Sequence, residues 1–151
     1  MNYLEILNCS IADGEGVRVV LFVAGCSHHC KGCQNQIGWD ENNGKEFTEE
    51  TKEKLFDLLD KDYIDGITFS GGDPLYCSNY DVILKLCLEI KQKFPNKTIW
   101  LYTGYTFEEI QRLDIIKYID VLVDGKYVEE LKDITLPFRG SSNQRIIKLK
   151  G

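Results

Sequence analysis

The sequence lacks the features that mark several large classes of protein. No apolar stretch approaches the ~20 residues that a membrane-spanning helix needs, and residues 1–5 do not begin a signal peptide. There is no block of lysines and arginines, and the formal net charge is −6, which argues against nucleic-acid binding. Prolines number only three, and we find no internal repeat, low-complexity tract or linker. We therefore expect a cytoplasmic protein in which residues 1–151 form a single domain.

Apolar runs alternate with helical patterns along the chain, which is typical of an α/β fold with a parallel sheet. The predicted strands are residues 4–9, 17–23, 64–70, 98–102, 119–123 and 145–149. Thr48 is predicted to cap one helix, residues 79–94 to form the clearest helix, and Thr106 and Glu109 to make a capping box for a short one. Since the chain is too short for a closed eight-stranded barrel of ~250 residues, we expect an open partial (β/α) barrel with mostly parallel strands.

One loop after the predicted strand 17–23 carries three cysteines at spacing C-x3-C-x2-C, namely Cys26, Cys30 and Cys33. Thiolates are soft ligands that favour iron–sulfur clusters, zinc or copper(I). In a cytosolic chain, six cysteines favour metal-binding or catalytic roles over disulfide bonds. Three thiolates leave one iron of a four-iron cluster open, as a catalytic metal site requires. By contrast, Cys87 falls on the apolar face of predicted helix 79–94 and is expected to be a core residue.

Three chemistries are compatible with the cysteine loop (residues 26–33). The first is a [4Fe-4S] cluster with one iron free for a cosubstrate. The second is a structural zinc site, with His28, His29 or a distant cysteine as the fourth ligand. The third is a thiol–disulfide pair of Cys30 and Cys33. We expect both histidines to lie in solvent, because a loop displays polar side chains without needing them as ligands.

The other predicted parallel strands also end in distinctive loops. These loops are Gly71-Gly72-Asp73-Pro74, Thr103-Gly104-Tyr105 and Asp124-Gly125. Because ligands bind at the carboxyl ends of parallel strands, we expect these loops to meet the cysteine loop at one site. The paired glycines allow a ligand to approach the backbone, and Asp73 can accept a hydrogen bond from an ammonium group. A plain βα turn is the alternative interpretation of residues 71–74.

The cysteine loop followed by Gly71-Gly72-Asp73-Pro74 resembles the radical S-adenosylmethionine enzymes. The resemblance implies that Cys26, Cys30 and Cys33 hold a [4Fe-4S] cluster and that the open iron binds the amino and carboxylate groups of S-adenosylmethionine. It also implies reductive cleavage of this cosubstrate to methionine and a 5′-deoxyadenosyl radical. The residues implied to contact the cosubstrate are Gly32, Cys33 and Gln34 along its length and Gly71, Gly72 and Asp73 at its methionyl end.

Two departures from the common family pattern are similar to one subgroup. Gly32 replaces a residue that is often aromatic, and Asp73 replaces a more frequent Glu. That subgroup activates anaerobic (class III) ribonucleotide reductases, and the resemblance covers nearly the whole chain, most specifically residues 139–144. It implies an enzyme that takes a hydrogen atom from the α-carbon of a glycine in the large subunit of the reductase. A low-potential electron donor such as flavodoxin is implied as a further partner.

Two alternative functions compete with the interpretation as a reductase-activating enzyme. The nearer alternative keeps the chemistry and changes the target, to another glycyl-radical enzyme or to a small molecule. The alternative from another class is a zinc-binding interaction module, which would be colourless, contain no sulfide and not react with S-adenosylmethionine. This second alternative does not explain why Gly71, Gly72 and Asp73 should gather on the same face as the cysteines.

Overall fold

A computed structural model of the protein describes residues 1–28 and 39–150. These residues form a seven-stranded mixed sheet in the order β3-β1-β2-β4-β5-β6-β7. The strands are β1 (Asn2–Ser10), β2 (Arg18–Val23), β3 (Lys45–Glu46), β4 (Gly66–Gly71), β5 (Thr98–Tyr102), β6 (Val121–Asp124) and β7 (Arg145–Lys148). The α-helices are α1 (Glu49–Leu59), α2 (Tyr80–Lys93) and α3 (Phe107–Ile110), with 3₁₀ turns at Asp114–Lys117 and Glu129–Leu131. Within the described ranges, each helix is too short or too polar to cross a membrane.

The centre of the sheet is parallel. β2 pairs with β4, β4 with β5, and β5 with β6, all in the parallel sense. β1, β3 and β7 lie at the margins and run antiparallel to their neighbours. The carboxyl ends of the four parallel strands therefore share one edge of the sheet. The parallel arrangement predicted from the sequence applies to this central part, while the open partial barrel and the single domain stay predictions.

Most elements lie within two residues of their predicted bounds. β5 covers the predicted residues 98–102, and α2 lies inside the predicted range 79–94. Thr48 caps α1 by accepting a hydrogen bond from the backbone N–H of Thr51, and both bonds of the capping box between Thr106 and Glu109 are present. The sequence did not predict β3, because its two residues are polar and their strand character comes from pairing with β1.

The main core lies between the sheet and helices α1 and α2. Alternate residues of β2, namely Val19, Leu21 and Val23, are 0% exposed and face these helices. Cys87 on α2 belongs to the same core and is 0% exposed, which confirms its predicted place. Burial raises the pKa of the Cys87 thiol to about 12, so this thiol is protonated at neutral pH and unsuited to metal binding.

The opposite face of β2 carries a buried cation. Arg18 is 1% exposed, and its guanidinium donates to the hydroxyls of Thr68 and Thr98, at 2.9 Å each, and to three backbone carbonyl oxygens. The Trp100 ring lies 5.6 Å from the guanidinium carbon. Burial lowers the pKa of Arg18 to about 10, which still leaves the group charged at pH 7. Arg18 therefore joins β2, β4 and β5 near the amino ends of the parallel strands.

Replacing Arg18 with Met should lower the free energy of unfolding by about 2–4 kcal/mol, because buried hydroxyls and carbonyls lose their donor. Urea denaturation of the purified protein measures this change. Arg112→Met is the matched control, since Arg112 is exposed and its loss should cost less than about 0.5 kcal/mol. Equal stability of the two variants would show that the Arg18 contacts do not stabilise the sheet.

Candidate active site

A cavity of about 150 Å³ opens at the carboxyl edge of the parallel strands. Its walls come from the ends of β2, β4, β5 and β6, as the sequence predicted for the four distinctive loops. Cys26, Gly71, Gly72 and Gly104 contribute to the lining, together with Gln144 from the segment before β7. The fold therefore brings together residues as far apart in the sequence as Cys26 and Gln144.

Cys26 is the predicted cluster ligand that lies within the described residues. It is partly buried, lines the cavity, and donates its backbone N–H to the carbonyl oxygen of Trp39 at 3.2 Å. Cys30 and Cys33 lie outside the described residues, as do Gly32 and Gln34. In the part of the chain that the structure describes, no group of three metal-binding side chains gathers.

Hydrogen bonds hold the start of the cysteine loop against the turn formed by residues 71–74. The backbone N–H of Asp73 donates to the carbonyl oxygen of Gly25 at 2.7 Å. The side chain of Asn79, which is 0% exposed, donates to the carbonyl oxygens of Ala24 at 2.8 Å and Asp73 at 3.1 Å. These bonds set the position of the backbone immediately before Cys26.

Gly71 permits this close approach of the two segments. Its φ is +109°, in the region that favours glycine. A Cβ atom at this position would lie 2.4 Å from the backbone nitrogen and 2.5 Å from the carbonyl oxygen of Val23. Since both neighbours are backbone atoms of a central strand, neither can move aside cheaply. The glycine predicted to face a ligand is thus also required by the sheet itself.

The carboxylate of Asp73 is buried, with 1% exposure, and accepts hydrogen bonds from four groups of the chain. Oδ1 accepts from the backbone N–H of Leu75 at 2.9 Å, and the Thr103 hydroxyl lies 2.9–3.0 Å from both oxygens. Oδ2 accepts from the backbone N–H of Gly104 at 3.0 Å and from His28 Nε2 at 2.7 Å. The carboxylate therefore joins three loops. Of its four hydrogen-bond donors, His28, Thr103 and Gly104 also line the cavity.

His28 does not lie in solvent, so this prediction was wrong. Its side chain is 5% exposed, and its ring packs edge-on against Tyr105 with the ring centroids 4.6 Å apart. The ring fits because Gly104 has no side chain, and a Cβ there would lie 2.4 Å from Cδ2 of His28. The motif Thr103-Gly104-Tyr105 was visible in the sequence, but nothing in the sequence indicated that a histidine from another loop occupies it. His29 lies outside the described residues.

Residues 139–144 fold beside the cavity through Gln144. Its Oε1 accepts from the backbone N–H groups of Gly140, at 2.9 Å, and Ser141, at 3.1 Å. Its Nε2 donates to the carbonyl oxygen of Gly125 at 3.0 Å. Gln144 thus attaches this loop to the end of β6 and supplies part of the cavity wall. The sequence marked these residues as distinctive, and the structure shows the contacts by which they reach the site.

A charge cluster stabilises the same side of the site. Asp124, at the end of β6, is 1% exposed and pairs with Arg145 of β7, and it accepts from the backbone N–H of Phe107 at 2.8 Å. Arg145 also binds Glu108 at 2.6 Å. These hydrogen bonds raise the pKa of Arg145 and lower that of Glu108, so both side chains are charged at neutral pH. These ion pairs and hydrogen bonds connect β6, β7 and α3 beside the cavity.

Comparison with known proteins defines the class to which this chain belongs. The family model of the 4Fe-4S single cluster domain matches residues 12–147. The chain is therefore a member of that family, and the match favours an iron–sulfur cluster over structural zinc among the chemistries open to the cysteine loop. Cys26, Cys30 and Cys33 lie within the matched residues.

Full-length relatives narrow the class further. The chain is 49% identical to the anaerobic ribonucleoside-triphosphate reductase-activating protein of Enterobacteria phage T4, over 97% of this chain and 93% of that protein. It is 42% identical to the protein of the same name from Escherichia coli (strain K12), over 99% of this chain and 100% of the relative. The Haemophilus influenzae protein of that name is 41% identical, with 99% of each chain covered. The chain belongs to the family of anaerobic ribonucleoside-triphosphate reductase-activating proteins.

Replacing Gly71 with Ala should destabilise the protein more than replacing Gly125 with Ala, although both glycines line the cavity and have positive φ, +109° and +98°. At Gly125 the nearest atom to a new Cβ would be 3.6 Å away, so only the backbone strain of about 1–2 kcal/mol applies. At Gly71 the collision with β2 adds to that strain. Urea denaturation of both variants measures the difference, and an equal loss of stability would contradict the packing described at Gly71.

Proposed function

We propose that this protein activates an anaerobic ribonucleotide reductase by generating a glycyl radical on the large subunit of the reductase. The observation that carries the proposal is the position of Cys26 at a cavity walled by glycine backbone, in a chain of the 4Fe-4S single cluster family. The names of the full-length relatives support the target. The resemblance of the cysteine loop to radical S-adenosylmethionine enzymes supports the chemistry.

We propose that Cys26, Cys30 and Cys33 hold a [4Fe-4S] cluster with one iron open. The cavity fits this role in two respects, because Cys26 supplies a soft sulfur ligand at its wall and glycines leave the neighbouring backbone accessible. When bound, the cluster would supply the one-electron reductive cleavage of S-adenosylmethionine on which the generation of a glycyl radical depends. The cofactor carries this chemistry, and the chain provides binding, orientation and the exclusion of water.

Two segments of the chain bind the cosubstrate in this proposal. Gly71, Gly72 and Asp73 would meet its methionyl end, where the glycines place no side chain between the backbone and the cosubstrate. The backbone N–H of Gly72 donates to the carbonyl oxygen of Val23 at 2.8 Å, and the side chain of Asp73 holds the turn in place. Gly32, Cys33 and Gln34, which lie outside the described residues, would contact the cosubstrate along its length. Burial raises the pKa of Tyr102, which lines the cavity, so this phenol stays neutral in the site.

The cavity that the described residues line is small. Its volume of about 150 Å³ is below the ~300–1,000 Å³ of typical small-molecule sites. We propose that the sheet is the open partial barrel of the radical S-adenosylmethionine type, formed by residues 1–151 as a single domain, and that the glycine-bearing segment of the reductase enters its mouth. This segment would exclude solvent from a reactive radical. We further propose a low-potential donor such as flavodoxin as the source of electrons, and the cytoplasm as the location.

Anaerobically reconstituted, dithionite-reduced protein should convert S-adenosylmethionine to 5′-deoxyadenosine, whereas Cys26→Ser and Cys30→Ala should form none because each lacks a cluster ligand. Cys9→Ser is the matched control, since Cys9 is an exposed cysteine on β1, and it should retain the activity. Chromatography of the nucleoside products, with and without an anaerobic reductase present, provides the measurement.

A cluster-loaded wild-type protein that forms no 5′-deoxyadenosine in either condition would refute the radical mechanism. Glycine-centred radicals, detected by electron paramagnetic resonance on another glycyl-radical enzyme but not on the reductase, would keep the chemistry and change the target. A colourless protein that takes up zinc and no sulfide would support the interaction module instead.

A further inference from the structure

We propose that His28 is a positioning residue whose contact with Asp73 fixes the first cluster-ligand segment against the other loops of the site, a role that rests on the proposed function. His28 lies two positions after Cys26 and lines the same cavity. Its ring is nearly inaccessible to solvent, with 5% exposure. The histidine therefore acts from within the site rather than from its surface.

The direction of the hydrogen bond between His28 and Asp73 follows from their chemistry. The ionised carboxylate has only acceptor atoms, so Nε2 of His28 carries the hydrogen and donates to Oδ2 at 2.7 Å. Both side chains are buried, where a hydrogen bond to a charged group is stronger than in water. The bond spans 45 positions of the sequence and connects the loop after β2 with the loop after β4.

Three consecutive residues after β5, Thr103, Gly104 and Tyr105, also contact the His28–Asp73 pair. The hydroxyl of Thr103 donates to the Asp73 carboxylate, as does the backbone N–H of Gly104. The missing side chain of Gly104 leaves the space for the His28 ring, and Tyr105 packs against the edge of that ring. Each residue of the motif thus serves the His28–Asp73 contact in a different way. Because all three residues contribute, the position of the His28 ring is specified by the fold and is not a chance contact.

The contact matters to the cluster because it fixes the loop on the far side of Cys26. The backbone before Cys26 is held by hydrogen bonds of Ala24 and Gly25 with the opposite turn. His28 provides the corresponding attachment after Cys26. Residues that orient metal ligands typically contribute about 10–100-fold in metal affinity or activity. We therefore expect His28 to govern how firmly the cluster is retained and how well the cavity receives S-adenosylmethionine.

The test compares His28→Leu, which removes the donor, with His28→Gln, whose amide Nε2 can replace it. Each full-length protein is reconstituted anaerobically, and cluster loss to an iron chelator is followed by absorbance without cosubstrate. His28→Leu should lose its cluster at least about tenfold faster than the wild type and bind S-adenosylmethionine about tenfold more weakly. His28→Gln should lie close to the wild type in both measurements.

Gly104→Ala provides an independent variant, because its Cβ displaces the His28 ring while leaving the histidine in the chain. It should reproduce the rapid cluster loss of His28→Leu. Combining Gly104→Ala with His28→Ala, which removes the ring from that space, should cost no more than His28→Ala alone. Asp120→Asn serves as the control, since it disrupts a 2.6 Å ion pair with Lys91 away from the cavity and should lower stability without speeding cluster loss.

Several outcomes would overturn the proposal. Wild-type rates of cluster loss in His28→Leu, or equal damage in His28→Leu and His28→Gln, would show that the hydrogen bond to Asp73 does not position the loop. If Asp120→Asn also lost its cluster rapidly, in proportion to its lower urea midpoint, the faster cluster loss in His28→Leu would be explained by lower overall stability. A wild-type protein that binds no iron–sulfur cluster would instead refute the proposed function, and the positioning role with it.

Discussion

A carboxylate that is removed from water needs hydrogen-bond donors in place of its hydration shell, and this requirement shapes the site. Asp73 takes its donors from the loops after β2, β4 and β5, through His28, Leu75, Thr103 and Gly104. Because each donor must be in place to offset the burial of the same charge, the loops cannot vary in position independently. The arrangement of the cavity wall therefore depends on the side chain of Asp73, which lies behind the residues that line the cavity.

The sheet makes this convergence possible. Parallel pairing of β2, β4, β5 and β6 directs their carboxyl ends to one edge, so that successive loops become neighbours. At the amino ends, Arg18 joins three of these strands through buried hydrogen bonds. The chain thus places a buried cation, Arg18, near the amino ends of its parallel strands and two buried carboxylates, Asp73 and Asp124, near their carboxyl ends.

Features determined by local sequence could be predicted, whereas those determined by distant partners could not. β5, α2 and the capping box at Thr106 follow from periodicity and capping, and the structure confirms them. The convergence of the loops followed from the parallel order of the strands. By contrast, the burial of His28 depends on a gap at Gly104, and β3 exists because β1 offers it a partner. Such pairings arise only when the fold is known.

Two residues of the site have structural roles that their sequence motifs did not indicate. Gly71 was singled out as a residue that lets a ligand approach, and the structure adds a second requirement, because any side chain there would collide with β2. Gln144 was part of a distinctive stretch, and its amide joins that stretch to the end of β6. In both cases the residue holds the wall of the cavity as well as facing it.

We propose that this protein removes a hydrogen atom from the α-carbon of a glycine of the reductase. The most direct measurement uses reductase whose glycines carry deuterium at the α-carbon, mixed anaerobically with reduced protein and S-adenosylmethionine. We expect deuterium in the 5′-deoxyadenosine and, in the same sample, a glycine-centred radical on the reductase. Formation of 5′-deoxyadenosine without deuterium, together with a reductase that gains no radical, would contradict it.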